Sequence, residues 1–230
     1  MRIGFRIRPG VLHMRTMRVW CLLLPGVLAS AGLPVPAAAG ATVLDDYLAG
    51  LHSLRLAFTQ STQDAHGHGQ GEQDGELLVL RPGRFRFESH ASGAAPDSGE
   101  LMVADGRNVW SYDRDLAQVV VKPADAALSA TPVMLLSGTA DVSQSFQVSA
   151  AGERAGLTWV RVTPRVAAAD FSEAQLGFAG RDLRQMIFTD KLGQQTTLVF
   201  TRSERNAPVS EAEVSFTPPA GADVIGTPQQ

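Results

Sequence analysis

The sequence predicts a mainly β protein with short helices, on three observations. Apolar residues recur at period two through most of the chain, in short runs parted by turn signals such as Asp105-Gly106 and Leu192-Gly193. Two segments alone, residues 42–54 and 131–138, carry helical spacing or helix-capping residues. No run alternates with a long helix, so the strands should pair antiparallel, as a sheet, sandwich or barrel, and not through βαβ units.

Residues 1–39 read as a signal peptide and stand outside the fold. Five arginines and no acid precede the apolar run Val19–Leu28, and small residues follow up to Ala37-Ala38-Ala39. Cleavage after Ala39 or after Ala41 fits equally, and Met14 or Met17 offers an alternative start. The apolar run is short and broken by Pro25, so it is not a membrane span. Cys21, the one cysteine, lies inside this leader behind Arg18, Val19 and Trp20, which are not the small residues that precede a lipid-modified cysteine. The exported chain, residues 40–230, is therefore expected to be a single domain in the periplasm, without disulfide or lipid anchor of its own. Loss of the leader leaves 15 basic against 23 acidic residues, a net charge of −8. Nucleic acid is excluded as a partner, because its binders carry basic surfaces.

Within residues 42–54, Leu44, Tyr47, Leu48, Leu51 and Leu54 fall on one helical stripe. Thr42 suits an N-cap, and Asp45 and Asp46 suit the positive helix N-terminus. Strand-like runs follow at Leu56–Ser61, Glu76–Leu80, Phe85–Glu88, Glu100–Val103, Asn108–Tyr112 and Gln118–Lys122. Beyond the second helical segment they continue at Ser145–Ser149, Leu157–Val162, Gln175–Phe178, Leu183–Thr189, Thr196–Thr201 and Ser210–Phe216. Residues 64–75 and 91–99 read as flexible loops, and the chain from Pro218 as a tail. The second helical segment is TPVMLLSG: Thr131 at the N-cap, Pro132 at the first helical position and Gly138 as the stop. Val133, Met134, Leu135 and Leu136 make it apolar all round, so it is buried on every side or plugs a cavity.

Catalytic arrangements are lacking. No nucleophile elbow, phosphate-binding loop, H-E-x-x-H or dinucleotide glycine signature occurs. His66-Gly-His68 could offer two imidazoles to a metal but sits in a glycine-rich stretch without cysteine. Neither enzymatic activity, nor a cofactor, nor a metal is expected.

Apolar surface is abundant instead. In and just before LVLRPGRFRF (78–87), Leu77, Val79, Arg81, Phe85 and Phe87 share one parity, and Arg84 and Arg86 the other. Arg81 thus falls on the apolar side, where it either reaches solvent from a strand end or meets a partner within. Further candidates for an apolar face are Leu101, Val103, Trp110, Tyr112, Val119, Val121, Phe188 and Phe200. An ordinary core and a ligand cavity explain these positions alike.

The chain resembles the outer-membrane lipoprotein carrier family, LolA. The resemblance runs through FTQ (58–60), LRPGRFRF (80–87), ADGRNVWSYDRDLAQVVVKP (104–123), TPVMLLSG (131–138), LGF (176–178), MIFTDKLGQQT (186–196), RNAPV (205–209) and FTPPAGADVI (216–225). Phe87 stands where family members commonly have Trp. The resemblance implies an open, curved antiparallel sheet, or incomplete β-barrel, with a helical lid over an apolar cavity. The cavity would comprise Leu77, Val79, Phe85, Phe87, Leu101, Val103, Trp110, Tyr112, Val119, Val121, Phe188 and Phe200. The lid would comprise Leu44, Leu48, Leu51, Val133, Met134, Leu135 and Leu136. It implies a monomeric periplasmic chaperone of acylated lipoproteins, loaded by an inner-membrane ABC transporter and unloaded by an outer-membrane acceptor. It also places Arg81 at the arginine of the family's R-P-x-x-F motif, and from there its guanidinium is expected to latch the lid by hydrogen bonds to backbone carbonyls of the lid helices. A periplasmic module that senses a lipid or lipoprotein on the same scaffold is the alternative.

Overall fold

The computed structural model describes residues 41–95, 97–124, 133–138, 142–165, 169 and 171–229. Residues 1–39, expected to be a signal peptide, Thr131, Pro132 and the side chain of Met134 lie outside these residues. The fold is that of the unit Ala39–Gln230. Among the described residues no helix is long and apolar enough to cross a membrane.

Among the described residues, helix α1 (Val43–Leu48) precedes six strands: β1 (Ser53–Gln63), β2 (Gly69–Leu80), β3 (Arg84–Ala91), β4 (Glu100–Asp105), β5 (Asn108–Asp113) and β6 (Gln118–Pro123). The short helices α2 (Val133–Ser137) and α3 (Val142–Ser145) follow. The chain closes with β7 (Phe146–Arg154), β8 (Leu157–Pro164), β9 (Phe171–Ala179), β10 (Asp182–Asp190), β11 (Gln195–Arg205) and β12 (Asp223–Ile225). The twelve strands among the described residues lie in one open sheet, ordered β12-β6-β5-β4-β3-β2-β1-β11-β10-β9-β8-β7. The ladder is antiparallel throughout except where β12 pairs parallel with β6.

Four expected elements differ. The first helix ends at Leu48, not near residue 54. Gly50 takes φ 67°, and the chain is captured at Ser53 by pairing with β2. The stretch Gly69–Gly75, which reads as a loop, belongs to β2. Its polar side chains are paired across β1: Gln60 Nε2 donates to Gln73 Oε1 at 3.0 Å and Thr59 Oγ1 to Asp74 Oδ1 at 3.3 Å. At the other end, Ser210–Phe216 forms turns instead of a strand, whereas Asp223–Ile225, expected as tail, adds strand β12.

Cross-strand register assigns the faces, since directly paired residues point the same way. Leu54, Val79, Phe85 and Ala104 form one row, and Leu56, Leu77, Phe87 and Met102 the next. The main core covers this side, which α1 and α2 overlie: Leu44, Tyr47, Leu135 and Leu136 are wholly buried against it. Phe58 stacks on Phe87 at 5.0 Å, and a Cβ at Gly75 would strike the Phe58 ring. We call this the lid face and the other the back face.

Candidate functional site

The site is the underside of α1 and the strand ends that hold it. Thr42 and Asp45 cap its start reciprocally: the Asp45 carboxylate accepts from Thr42 N at 2.7 Å, and Thr42 Oγ1 accepts from Asp45 N at 3.4 Å. The far end is less provided for. A helix of six residues leaves its last carbonyls without intrahelical donors, and its last turn has no basic residue. The sheet supplies the donors.

On one side of β1, Arg81 at the end of β2 donates from Nη1 to Leu48 O at 3.2 Å and Leu51 O at 3.3 Å. On the other side, Arg205 at the end of β11 donates from Nη2 to Tyr47 O at 2.7 Å and Ala49 O at 3.2 Å. Asn206 donates to Gly50 O at 3.0 Å and accepts from His52 N at 2.8 Å. Tyr47 lies between the helix and the sheet, its ring 5.4 Å from Phe178, and burial pushes its hydroxyl up to about 12.

The outward arginines of the same stretch make a contrast. Arg84 meets Glu211 at 2.5 Å, Arg86 pairs with Glu88, and Arg114 joins Glu88 at 2.7 Å. Arg81 has carbonyls instead of carboxylates, and desolvation pulls its guanidinium below the ordinary arginine range. Neutral acceptors bind a cation more weakly than carboxylates do. Arg81 also touches the end of α2. Gly138, at φ 69°, has no room for a Cβ because the Arg81 guanidinium occupies that space, and Gly83 N donates to Ser137 O at 2.9 Å.

The expected cavity residues divide between the faces. Leu77, Val79, Phe85, Phe87, Phe188 and Phe200 lie on the lid face, where Phe87 and Phe188 are only half-buried. Leu101, Val103, Trp110, Tyr112, Val119 and Val121 do not. Register sets Val103 opposite Arg86 and Trp110, and Leu101 opposite Glu88 and Tyr112, so all six point to the back face. They form a separate cluster with Phe216 and Ala222. Met102, Ser111 and Val120 take their place on the lid face, lining with Phe87 a cavity of about 200 Å³. A second cavity, of about 420 Å³, lies below Thr42 and Val43 against Val148, Ala150, Thr158 and Val160. Ligand pockets commonly span about 300–1,000 Å³. Of the expected lid residues, Leu44, Leu51, Leu135 and Leu136 are buried, and Leu48 and Val133 half-buried.

His66 and His68 share Asp64, whose Oδ2 lies 3.1 Å from His68 Nδ1 and whose Oδ1 accepts both backbone N–H groups. Among the described residues no three His, Cys, Asp or Glu side chains could hold a metal. Arg205 and Asn206 were not predicted from the sequence; RNAPV marked the stretch, but nothing local tied it to α1.

The family model described as "Outer membrane lipoprotein carrier protein LolA" matches residues 49–217. The chain belongs to the LolA family. The Outer-membrane lipoprotein carrier protein of Dechloromonas aromatica is 38% identical over 195 residues, covering 84% of this chain and 91% of the relative. That of Chromobacterium violaceum is 35% identical over 205 residues, covering 88% and 96%. An uncharacterized conserved protein from Thermus thermophilus, a solved structure, superposes with a TM-score of 0.49 at 17% identity, over 79% of this chain and 96% of that one.

Proposed function

We propose that this LolA-family chain is a monomeric periplasmic carrier of acylated lipoproteins. It takes them from an inner-membrane ABC transporter, shields their acyl chains under the lid, and gives them to an outer-membrane acceptor. It binds and transfers, and performs no covalent chemistry. An acyl chain of about 15 methylenes loses on the order of 12 kcal/mol on moving from membrane to water, at ~0.8 kcal/mol per CH₂. Crossing the periplasm therefore needs a cavity of comparable apolarity. Leu135 and Leu136 are buried in the core that α2 covers, and exposing both would cost about 3–6 kcal/mol. An arriving chain outweighs this, so α2 acts as a plug that cargo displaces.

The observation that carries the reading is the grip of Arg81 on the carbonyls of Leu48 and Leu51. Cargo that lifts α1 leaves the Arg81 donors unpaired beside an apolar surface, at a cost of about 1–3 kcal/mol or more for a charged group. Loading is thereby kept reversible. In the direct test, the purified protein is incubated with spheroplasts. A soluble one-to-one complex with an acylated lipoprotein is the expected result, and lipoproteins that stay in the membrane would refute the carrier reading.

A further inference from the structure

We propose that Arg205 is a second lid-holding residue, which sets the position of α1 independently of α2 and so fixes how often the empty cavity opens. The inference rests on the carrier reading for its consequence, though not for its geometry. Arg81 and Arg205 reach α1 from opposite neighbours of β1, namely β2 and β11. Their acceptors interleave along the chain, Tyr47 and Ala49 for Arg205, Leu48 and Leu51 for Arg81. With Gly50 held by Asn206, five consecutive carbonyls of the lid are taken by side chains of the sheet.

The two arginines differ in what else they touch. Arg81 stands against Gly138 at the end of α2, so movement of the plug disturbs it. Arg205 instead lies over the Tyr47 ring, its Cζ 5.0 Å from the centroid, and its hydrogen bonds go to the α1 segment. The closed arrangement is also incomplete on this side. Arg205 Nε and Tyr47 Oη are buried without well-aligned hydrogen-bond partners, although Ser203 lies near the hydroxyl. Opening returns both to water and offsets part of the bonds it breaks, which keeps the two lid positions close in free energy. Arg205 is thus a positioning residue, holding a lid that remains ready to move.

Hydrogen–deuterium exchange on the empty, purified protein tests this, with Arg205→Gln, Arg205→Lys and Arg81→Leu compared. Arg205→Gln should speed exchange across residues 43–52 roughly tenfold, leaving 133–138 and the strands β1 and β11 unchanged. Arg81→Leu should speed both 43–52 and 133–138, and Arg205→Lys should fall between Arg205→Gln and the unaltered protein. Unchanged exchange of 43–52 in Arg205→Gln would overturn the proposal. So would equal loosening of β1 and β11, which means ordinary destabilisation. A fluorescent fatty-acyl probe should then bind Arg205→Gln several-fold more tightly, because the open fraction is larger. Unaltered affinity beside a loosened α1 would overturn the gating claim. Failure of the unaltered protein to bind any acyl chain would instead sink the carrier reading, with the exchange result left standing.

Discussion

On the back face, Trp110, Tyr112, Val103 and Val121 lie beneath the chain after β11. On the lid face, Phe85, Val79, Leu56 and Leu77 lie beneath α1 and α2. The back cover is fastened by backbone pairing and by packing. β12 joins the ladder beside β6, Asp223 N donates to Ala117 O at 2.9 Å, and Gln229 exchanges two hydrogen bonds with Asn108. Phe216 sits 5.7 Å from Trp110 and 5.8 Å from Tyr112, and Trp110 itself donates to Asp105 at 2.8 Å. The lid is fastened otherwise. The carbonyls at the end of α1 are held by side chains of Arg81, Arg205 and Asn206. Equal apolarity is therefore covered in two ways: on the back by chain built into the ladder, and on the lid face by a helix whose end is gripped by arginine side chains.

The largest effect that would break this comparison is expected on the back. Trp110→Ala removes a buried indole and its bond to Asp105, and should cost about 3–5 kcal/mol. Urea unfolding would read this as a lower midpoint, with acyl-probe binding by the folded fraction unchanged. A large loss of probe binding with stability intact would put a cavity where the account has a seal.

A smaller effect sharpens the lid side. The Tyr47 hydroxyl, raised by burial to about 12, is neutral in the folded protein well above the ordinary tyrosine value. Its contribution to stability holds below about pH 10 and is lost as pH rises through 12, because the unfolded chain ionises first. The two-unit difference bounds that loss at roughly 3 kcal/mol. Tyr47→Phe keeps the ring, removes the titrating hydroxyl, and should lose less stability between pH 8 and pH 11. Parallel losses in the two proteins, followed by urea titration, would contradict burial of Tyr47 under a closed lid.

Much of the sheet is legible in the sequence, and the limits are physical. The alternation in LVLRPGRFRF predicts the faces of Leu77, Val79, Phe85 and Phe87, and sets Arg84 and Arg86 opposite, as found. The same reasoning misplaces Leu101, Val103, Trp110, Tyr112, Val119 and Val121, because parity within a strand says nothing of register across one. The connection between β3 and β4 decides that register, and both faces are apolar there since both are covered. Polar Gly69–Gly75 is strand because β1 lies beside it, a tertiary cause that local composition does not carry. Arg205 was invisible for a related reason: its acceptor on Tyr47 lies 158 positions away in sequence.

If Arg81 makes occupancy reversible, as proposed above, Arg81→Leu should hold on to its cargo. Purified carrier loaded with an acylated lipoprotein is mixed with the outer-membrane acceptor, and the lipoprotein transferred is measured over time. Arg81→Leu should accept cargo at least as well as the unaltered protein and transfer it at least tenfold more slowly, in line with the loss of about 1–3 kcal/mol of loaded-state destabilisation. Transfer at the unaltered rate would contradict it.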